Sequence, residues 1–274
     1  MSIVNAVRAE VAKLVTTRLW WILLIVLFVY VAFVAGILGG VFGAIADQGT
    51  AEGAPPPVAP GDLHLIVYSS ATAIGYVFPL LLGALATTSE FRHLTLTPTF
   101  LANPHRGQVL SAKAIALAVV GALYGAVALL GSIGGGGLVL AITGQELHLG
   151  DSETWVLVGR VLIAMALWAV IGVGLGALIP NQVAVLVIVL AFTQFLEPIL
   201  RSLSFVADWT AQVGQFLPGA AGDALVGSSP FTAFAGTGVG IPTLEWWQGG
   251  LVLLAIALVA SLIGYLTTWK RDVT

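Results

Sequence analysis

Residues 19–46 read LWWILLIVLFVYVAFVAGILGGVFGAIA, an apolar run without a charged side chain. A helix needs about 20 largely apolar residues to cross the hydrocarbon core of a bilayer, so this stretch spans it with length to spare for a tilt. It is also about twice as long as the hydrophobic core of a secretory signal, which favours a retained span over a cleaved leader, although Ala44-Ile45-Ala46 has the small-residue look of a cleavage site. Five further stretches share its character, near Leu65 to Thr88, Ala114 to Ile142, Val156 to Ile179, Val183 to Leu203 and Gly249 to Trp269. The 274-residue chain is 58% hydrophobic and only 8% charged, whereas roughly a quarter of the residues of a soluble domain are charged. The expected fold is therefore an all-α membrane protein with six transmembrane helices, one transmembrane domain over 1–274. No polar stretch is long enough to hold a soluble catalytic domain.

Charge placement orients the spans. With the amino terminus in the cytoplasm, Arg8, Lys13 and Arg18 precede the first span. Arg92, Arg106 and Lys113 fall between the second and third, and Lys270 and Arg271 follow the sixth. Only Arg160 and Arg201 are left on the far half, the asymmetry expected of cytoplasmic loops. Most acids sort the other way, in or beside the outer loops, with Glu10, Glu90 and Asp272 inside. Both termini of a multi-pass cell-membrane protein are expected in the cytoplasm.

The connections differ in kind. Ile3, Val7, Val11 and Leu14 recur at helical spacing ahead of the first span, so residues 1–18 are expected to form an interfacial helix. Pro55, Pro56, Pro57 and Pro60 predict an extended spacer in the first outer loop. The glycine run Gly134 to Gly137 predicts an interruption in the third span. Pro180, Asn181 and Gln182 predict a tight hairpin between the fourth and fifth. Residues 204–248 interleave Phe205, Val206, Trp209, Phe216, Leu217, Leu225, Phe231 and Phe234 with Gly, Pro and Ser. That segment is too apolar for a solvated loop and too interrupted to span, which predicts short re-entrant or interfacial helices before the sixth span. Glu197 and Arg201, four residues apart at the outer end of the fifth span, read as a structural ion pair or as an outer gate. The small pairs Gly36 with Gly40, Gly121 with Gly125 and Gly172 with Gly176 permit close helix approach, within the chain or across a dimer seam.

Several chemistries lack their motifs. There is no cysteine, no G-x-x-x-x-G-K-[ST] phosphate loop, no H-E-x-x-H and no G-x-S-x-G. The centres of the six spans hold none of the ionisable groups with which ion-coupled transporters bind their ions. No catalytic residue, metal site or cofactor is expected on this chain.

One charged island remains, SEFRHLTLTPTFLANPHRGQVLSAK over residues 89–113. It resembles the cytoplasmic loop of ABC-2 type permeases, the membrane subunits of ATP-binding-cassette exporters. In that family an acid closes the second span and is followed by Gly-Thr, an apolar turn, Pro-x-Arg and a later Lys. Here Glu90 matches the acid, Thr95 the threonine, Phe100 and Leu101 the apolar turn, Pro104 and Arg106 the Pro-x-Arg, and Lys113 the lysine. Leu94 stands where the family commonly has glycine. The resemblance implies a coupling helix over 89–113 that docks on a separate ATPase subunit, ATP and Mg on that partner, a second permease copy, and alternating-access export of a hydrophobic or amphipathic substrate. Arg92 and Arg106 would face an acidic groove on the partner while Phe91, Leu96, Phe100 and Leu101 pack against the spans. Membrane lipid and protein are the expected partners, and nucleic acid is not. A membrane scaffold or sensor that docks a regulatory protein through the same island is the alternative. A lipid-modifying enzyme is disfavoured for want of a catalytic cluster.

Overall fold

The computed structural model describes residues 2–52, 62–205, 207–235 and 242–269, with the side chains of 46–52, 205, 208, 234 and 235 left out. The described residues are mostly helical, without a strand. Six helical stretches are long and apolar enough to cross a membrane: Leu19–Ile45, Leu63–Arg92, Arg106–Ile142, Ser152–Leu178, Gln182–Ser202 and Trp246–Trp269. The chain thus has the build of a multi-pass membrane protein. The proline spacer at Pro55 to Pro60 and the basic pair Lys270 and Arg271 lie outside the described residues.

Helix α8 (Ser152–Leu178) is the centre of the bundle, packed by α4 (Val77–Arg92), α6 (Arg106–Gly131) and α14 (Trp246–Gly264). Glycine makes that packing close. A Cβ on Gly172 would lie 2.1 Å from the Leu80 carbonyl oxygen, and one on Gly121 2.6 Å from that of Met165. Both glycines therefore pack spans within one chain, backbone against backbone.

The second and third spans are among those that depart from a plain α-helix. The second is α3 (Leu63–Ala73) followed by α4, with Ile74, Gly75 and Tyr76 forming a turn between them. The Phe78 amide bonds the Gly75 carbonyl instead of the Ile74 carbonyl a helix would offer, and Pro79 brings no N–H of its own. The Tyr76 ring stacks on Trp168 of α8, centroids 4.3 Å apart. In the third span the interruption expected at the glycine run is a π-helical turn over Ser132–Gly136 that leads into α7 (Gly137–Ile142). A Cβ on Gly135 would stand 2.2 Å from the Ala32 carbonyl oxygen of α2 (Leu19–Glu52), so the glycines admit a neighbouring backbone.

Asn181 caps α9 (Gln182–Ala191), its side chain accepting from the amides of Val183 and Ala184, both at 3.0 Å. The turn after α8 is tight, as expected, but α9 packs more on α4 than on α8. A second π-helical turn, Phe192–Leu196, joins α9 to α10 (Glu197–Ser202). Three short helices follow, α11 (Asp208–Gly214), α12 (Pro218–Val226) and α13 (Pro230–Ala235). Of these α12 is the most buried and packs against α14, α3 and α8.

Candidate functional site

Charged side chains gather at the two ends of the bundle. At one end, α1 (Ile3–Thr16) lies against α6 and buries Ala6, Glu10 and Leu14, spaced four apart along one face. Of the stripe Ile3, Val7, Val11, Leu14, Leu14 lies in that face, Val7 and Val11 flank it and Ile3 is exposed, and a carboxylate sits at the middle of the contact. Glu10 meets Lys113 of α6, whose side chain is 2% exposed. Lys13 Nζ lies 2.6 Å from Glu10 Oε1 and 2.8 Å from Oε1 of Glu90. Lys113 Nζ is 3.2 Å from that same Glu90 oxygen. Two acids and two lysines from α1, α4 and α6 thus close into a neutral ring.

The ring is strongly held. Taking an ion out of water costs several kcal/mol, which only good partners offset. Burial pushes the Glu10 carboxyl up, but Lys113 and Lys13 together more than reverse that and leave it below its ordinary 4.5. Burial likewise depresses the Lys13 ammonium, and Glu90 and Glu10 override it and raise it above 10.5. Both groups are charged across the neutral range. Glu90 Oε2 has no hydrogen-bond partner among the described residues.

Beyond Glu90 the island folds locally. Thr95 N–H bonds the Glu90 carbonyl at 3.0 Å and Leu94 N–H that of Phe91 at 3.3 Å, the paired bonds of a Schellman stop. Its left-handed residue is Leu94, with φ of 54°. A left-handed backbone costs a non-glycine residue roughly 1–2 kcal/mol, so the position where the resemblance places glycine is one that glycine suits best. Helix α5 (Leu96–Ala102) then presses Leu96 inward.

Trp269, at the end of the π-helical turn Tyr265–Trp269, fixes the island to the sixth span. Its ring lies 5.6 Å from Phe91 and 5.8 Å from Phe100, edge on to both. Its indole N–H donates to the Arg106 carbonyl at 3.1 Å. The Arg106 guanidinium carbon stands 5.0 Å above Phe100, and Arg106 Nη1 donates to the Trp269 carbonyl at 3.4 Å. Arg92 donates to Gln182 Oε1 at 3.1 Å.

Several expectations change here. Phe91, Leu96 and Phe100 pack inward as expected, but Leu101 is 82% exposed and points away from the spans. Arg106 turns inward onto Phe100 and Trp269, and Lys113 is buried in the ring. Pro104 stays on the surface ahead of α6. Glu10, Lys13 and Trp269 were not singled out from the sequence. Glu10 and Glu90 are scarce acids on the lysine-rich side, and that scarcity was the available signal.

At the opposite end, Glu197 and Arg201 do not form the direct pair their spacing predicts. Each reaches α12 instead. Glu197, 1% exposed, accepts the Gly219 amide at the start of α12. Arg201 pairs with Asp223, which also accepts the Ser229 hydroxyl at 2.7 Å. The Arg201 guanidinium carbon lies 4.2 Å over the Phe231 ring. These contacts tie the fifth span to α12 and α13.

No family model matches the chain, and none of the curated proteins compared with it matches either. Among the described residues no group of three or more His, Asp or Glu is placed to hold a metal ion.

Proposed function

We propose that this chain is the permease subunit of an ATP-driven, ABC-2 type exporter. The neutral ring of Glu10, Lys13, Glu90 and Lys113 carries the reading. It joins the amino-terminal helix, the island and the third span into one body, so a load applied to the island is passed to the second and third spans together. Residues 89–113 serve as the coupling segment, on the cytoplasmic side with both termini, and α12 with α13 is a re-entrant unit on the outer side. A separate ATPase binds ATP and Mg, and a second permease copy completes the cell-membrane assembly.

The face offered to the ATPase is what the ring and Trp269 leave outside: Leu94, Leu101, Arg92, His93 and His105, all exposed. Covering an exposed leucine is worth about 1.5–3 kcal/mol, which makes Leu101 the side chain most in need of a partner. Glu90 and Arg106 act by holding the island in shape.

Mild-detergent purification of the chain from its native membrane tests the reading. A stoichiometric nucleotide-binding chain with ATP turnover should accompany it and should be lost from Leu101→Asp while the permease stays folded. Glu90→Ala and Arg106→Glu should weaken the same association by loosening the island. Recovery of the chain alone, or with a partner lacking a nucleotide site, would overturn the reading in favour of a scaffold.

A further inference from the structure

Two backbone irregularities meet at one cavity of about 320 Å³, the break in the second span and the π-helical turn Phe192–Leu196. Ile74 and Tyr76 line it from the first, Thr193 and Gln194 from the second, and Glu197 and Arg201 from α10. Irregular backbone at membrane depth is tolerated where it is buried in protein or lines a cavity, and π-helical turns gather at functional positions. The volume is at the small end of the roughly 300–1,000 Å³ of ligand sites.

Glu197 is the group in this lining that the fold leaves unmatched. It is 1% exposed, its Oε1 accepts the Gly219 amide, and its Oε2 has no hydrogen-bond partner among the described residues. The start of α12 holds the carboxylate in place. A Cβ on Gly219 would stand 2.5 Å from Oε1, and a helix N-terminus favours an anion. Arg201 is committed to Asp223, and Arg160 lies 5.0 Å over the Trp246 ring. Residues 53–61 and 236–241, outside the described ones, contain no Lys, Arg or His that could serve instead. The neighbouring donors are spent as well. Thr193 Oγ1 donates to the Val189 carbonyl at 2.8 Å and Gln194 Nε2 to Thr193 Oγ1 at 3.3 Å. The Tyr76 hydroxyl, which faces Glu197, donates to the Thr193 carbonyl at 3.5 Å. What the cavity retains is acceptor oxygen and one negative charge. A buried carboxylate without a counter-charge is costly, and an occupant that brings a positive charge and N–H donors offsets that cost.

We propose that this cavity binds a small protonated primary amine, its ammonium paired with Glu197 Oε2. The three N–H donors of an ammonium match the acceptors offered by Glu197, Gln194 and Tyr76, and Val34, Leu38 and Pro198 give the substituent an apolar wall. A metal ion is the poorer match. It needs several oxygen ligands at once, and no group of three His, Asp or Glu among the described residues offers them. As a class of cargo the amine rests on the exporter reading; occupancy itself needs no ATPase.

The test is photolabelling of the full chain in phosphatidylcholine nanodiscs, at neutral pH, with a benzylamine that carries a trifluoromethyl-diazirine on its ring. Saturable labelling is expected on peptides containing Tyr76 or Glu197. Excess benzylammonium should abolish it, and benzyl alcohol, of similar shape without the charge, should compete about tenfold less well. Glu197→Gln, which keeps an oxygen for the Gly219 amide, should cut labelling about tenfold, and so should Val34→Trp, which fills the cavity. Equal competition by benzyl alcohol, a comparison made on the parent chain and independent of how any variant folds, would overturn the ammonium. Full labelling of folded Glu197→Gln would do the same. Unsaturable labelling spread over all spans, or full labelling of folded Val34→Trp, would overturn the cavity as the site. A labelled site in a chain with no ATPase partner would sink the exporter reading alone, and an ATPase partner with no such labelling would sink the site alone.

Discussion

The two charged ends of this bundle use similar groups to different ends. At the island end, two acids and two lysines from three helices balance exactly two against two, and three of the four are buried. At the other end, Glu197, Arg201 and Asp223 leave one acid in excess, and the arginine faces a cavity on either side. Where every charge is matched by its neighbours, the cluster works as a fastening. Where the matching is uneven, the same chemistry ties the fifth span to α12 and α13 by separate contacts; free space does not set the ends apart, since a cavity of about 280 Å³ also lies against Glu10 and Lys13. Burial alone does not separate the two cases, since Glu197 is as buried as Glu10 or Glu90.

The largest expected effect breaks the fastening. Lys113→Met leaves Glu10 and Glu90 to share Lys13, and removing one member of a buried ion set costs about 3–5 kcal/mol. Thermal unfolding in detergent should drop sharply, and amides of α1 should lose protection from hydrogen exchange. A variant as stable as the parent would show that the ring does not hold α1. The matching change at the far end, Asp223→Asn, should cost less, about 1–3 kcal/mol, because Arg201 keeps its stacking on Phe231 and Asn still accepts from Ser229. A cost equal to that of Lys113→Met would erase the distinction between the two ends.

Two smaller tests sharpen it. Leu94→Gly should raise stability by about 1 kcal/mol, since glycine adopts the left-handed turn freely while the exposed leucine contributes little packing. A fall in unfolding temperature would mean that Leu94 is held by contacts beyond its turn. Changing pH should do least. The lowered Glu10 contributes in full above its ordinary 4.5 and is lost as pH falls through its folded value. The raised Lys13 contributes in full below 10.5 and is lost as pH rises past its folded value. Protection of α1 amides, corrected for intrinsic exchange, should therefore be flat between about pH 5 and 10. A step inside that window would assign the fastening to other groups.

Some of this was legible before any coordinates. Five of the six spans lie within about four residues of their expected places because a bilayer demands apolar length, which is a property of the chain read locally; the third helix begins at Arg106 rather than Ala114, so the last part of the expected coupling segment belongs to α6. The glycine run and the Asn181 turn were likewise visible as local chemistry. Less visible was the break at Ile74 to Tyr76, where Gly75 and Pro79 were present but lay inside an apolar run that reads as continuous. Leu101 shows the limit most plainly. By type it belongs inside, and only the fold of α5, with Leu96 and Phe100 taking the inward positions, turns it out.

What the sequence determined by itself was the number of spans, the segregation of charge to their ends, and the absence of motifs for nucleotide, thiol or metallopeptidase chemistry. Which charges meet was decided by tertiary structure alone. Glu10 and Lys113 are separated by most of the first half of the chain, and Arg201 had an acid four residues away yet pairs with one on another helix. Helix rotation and packing set those partnerships, because a charge in a dry interior takes whichever counter-charge the fold brings within reach.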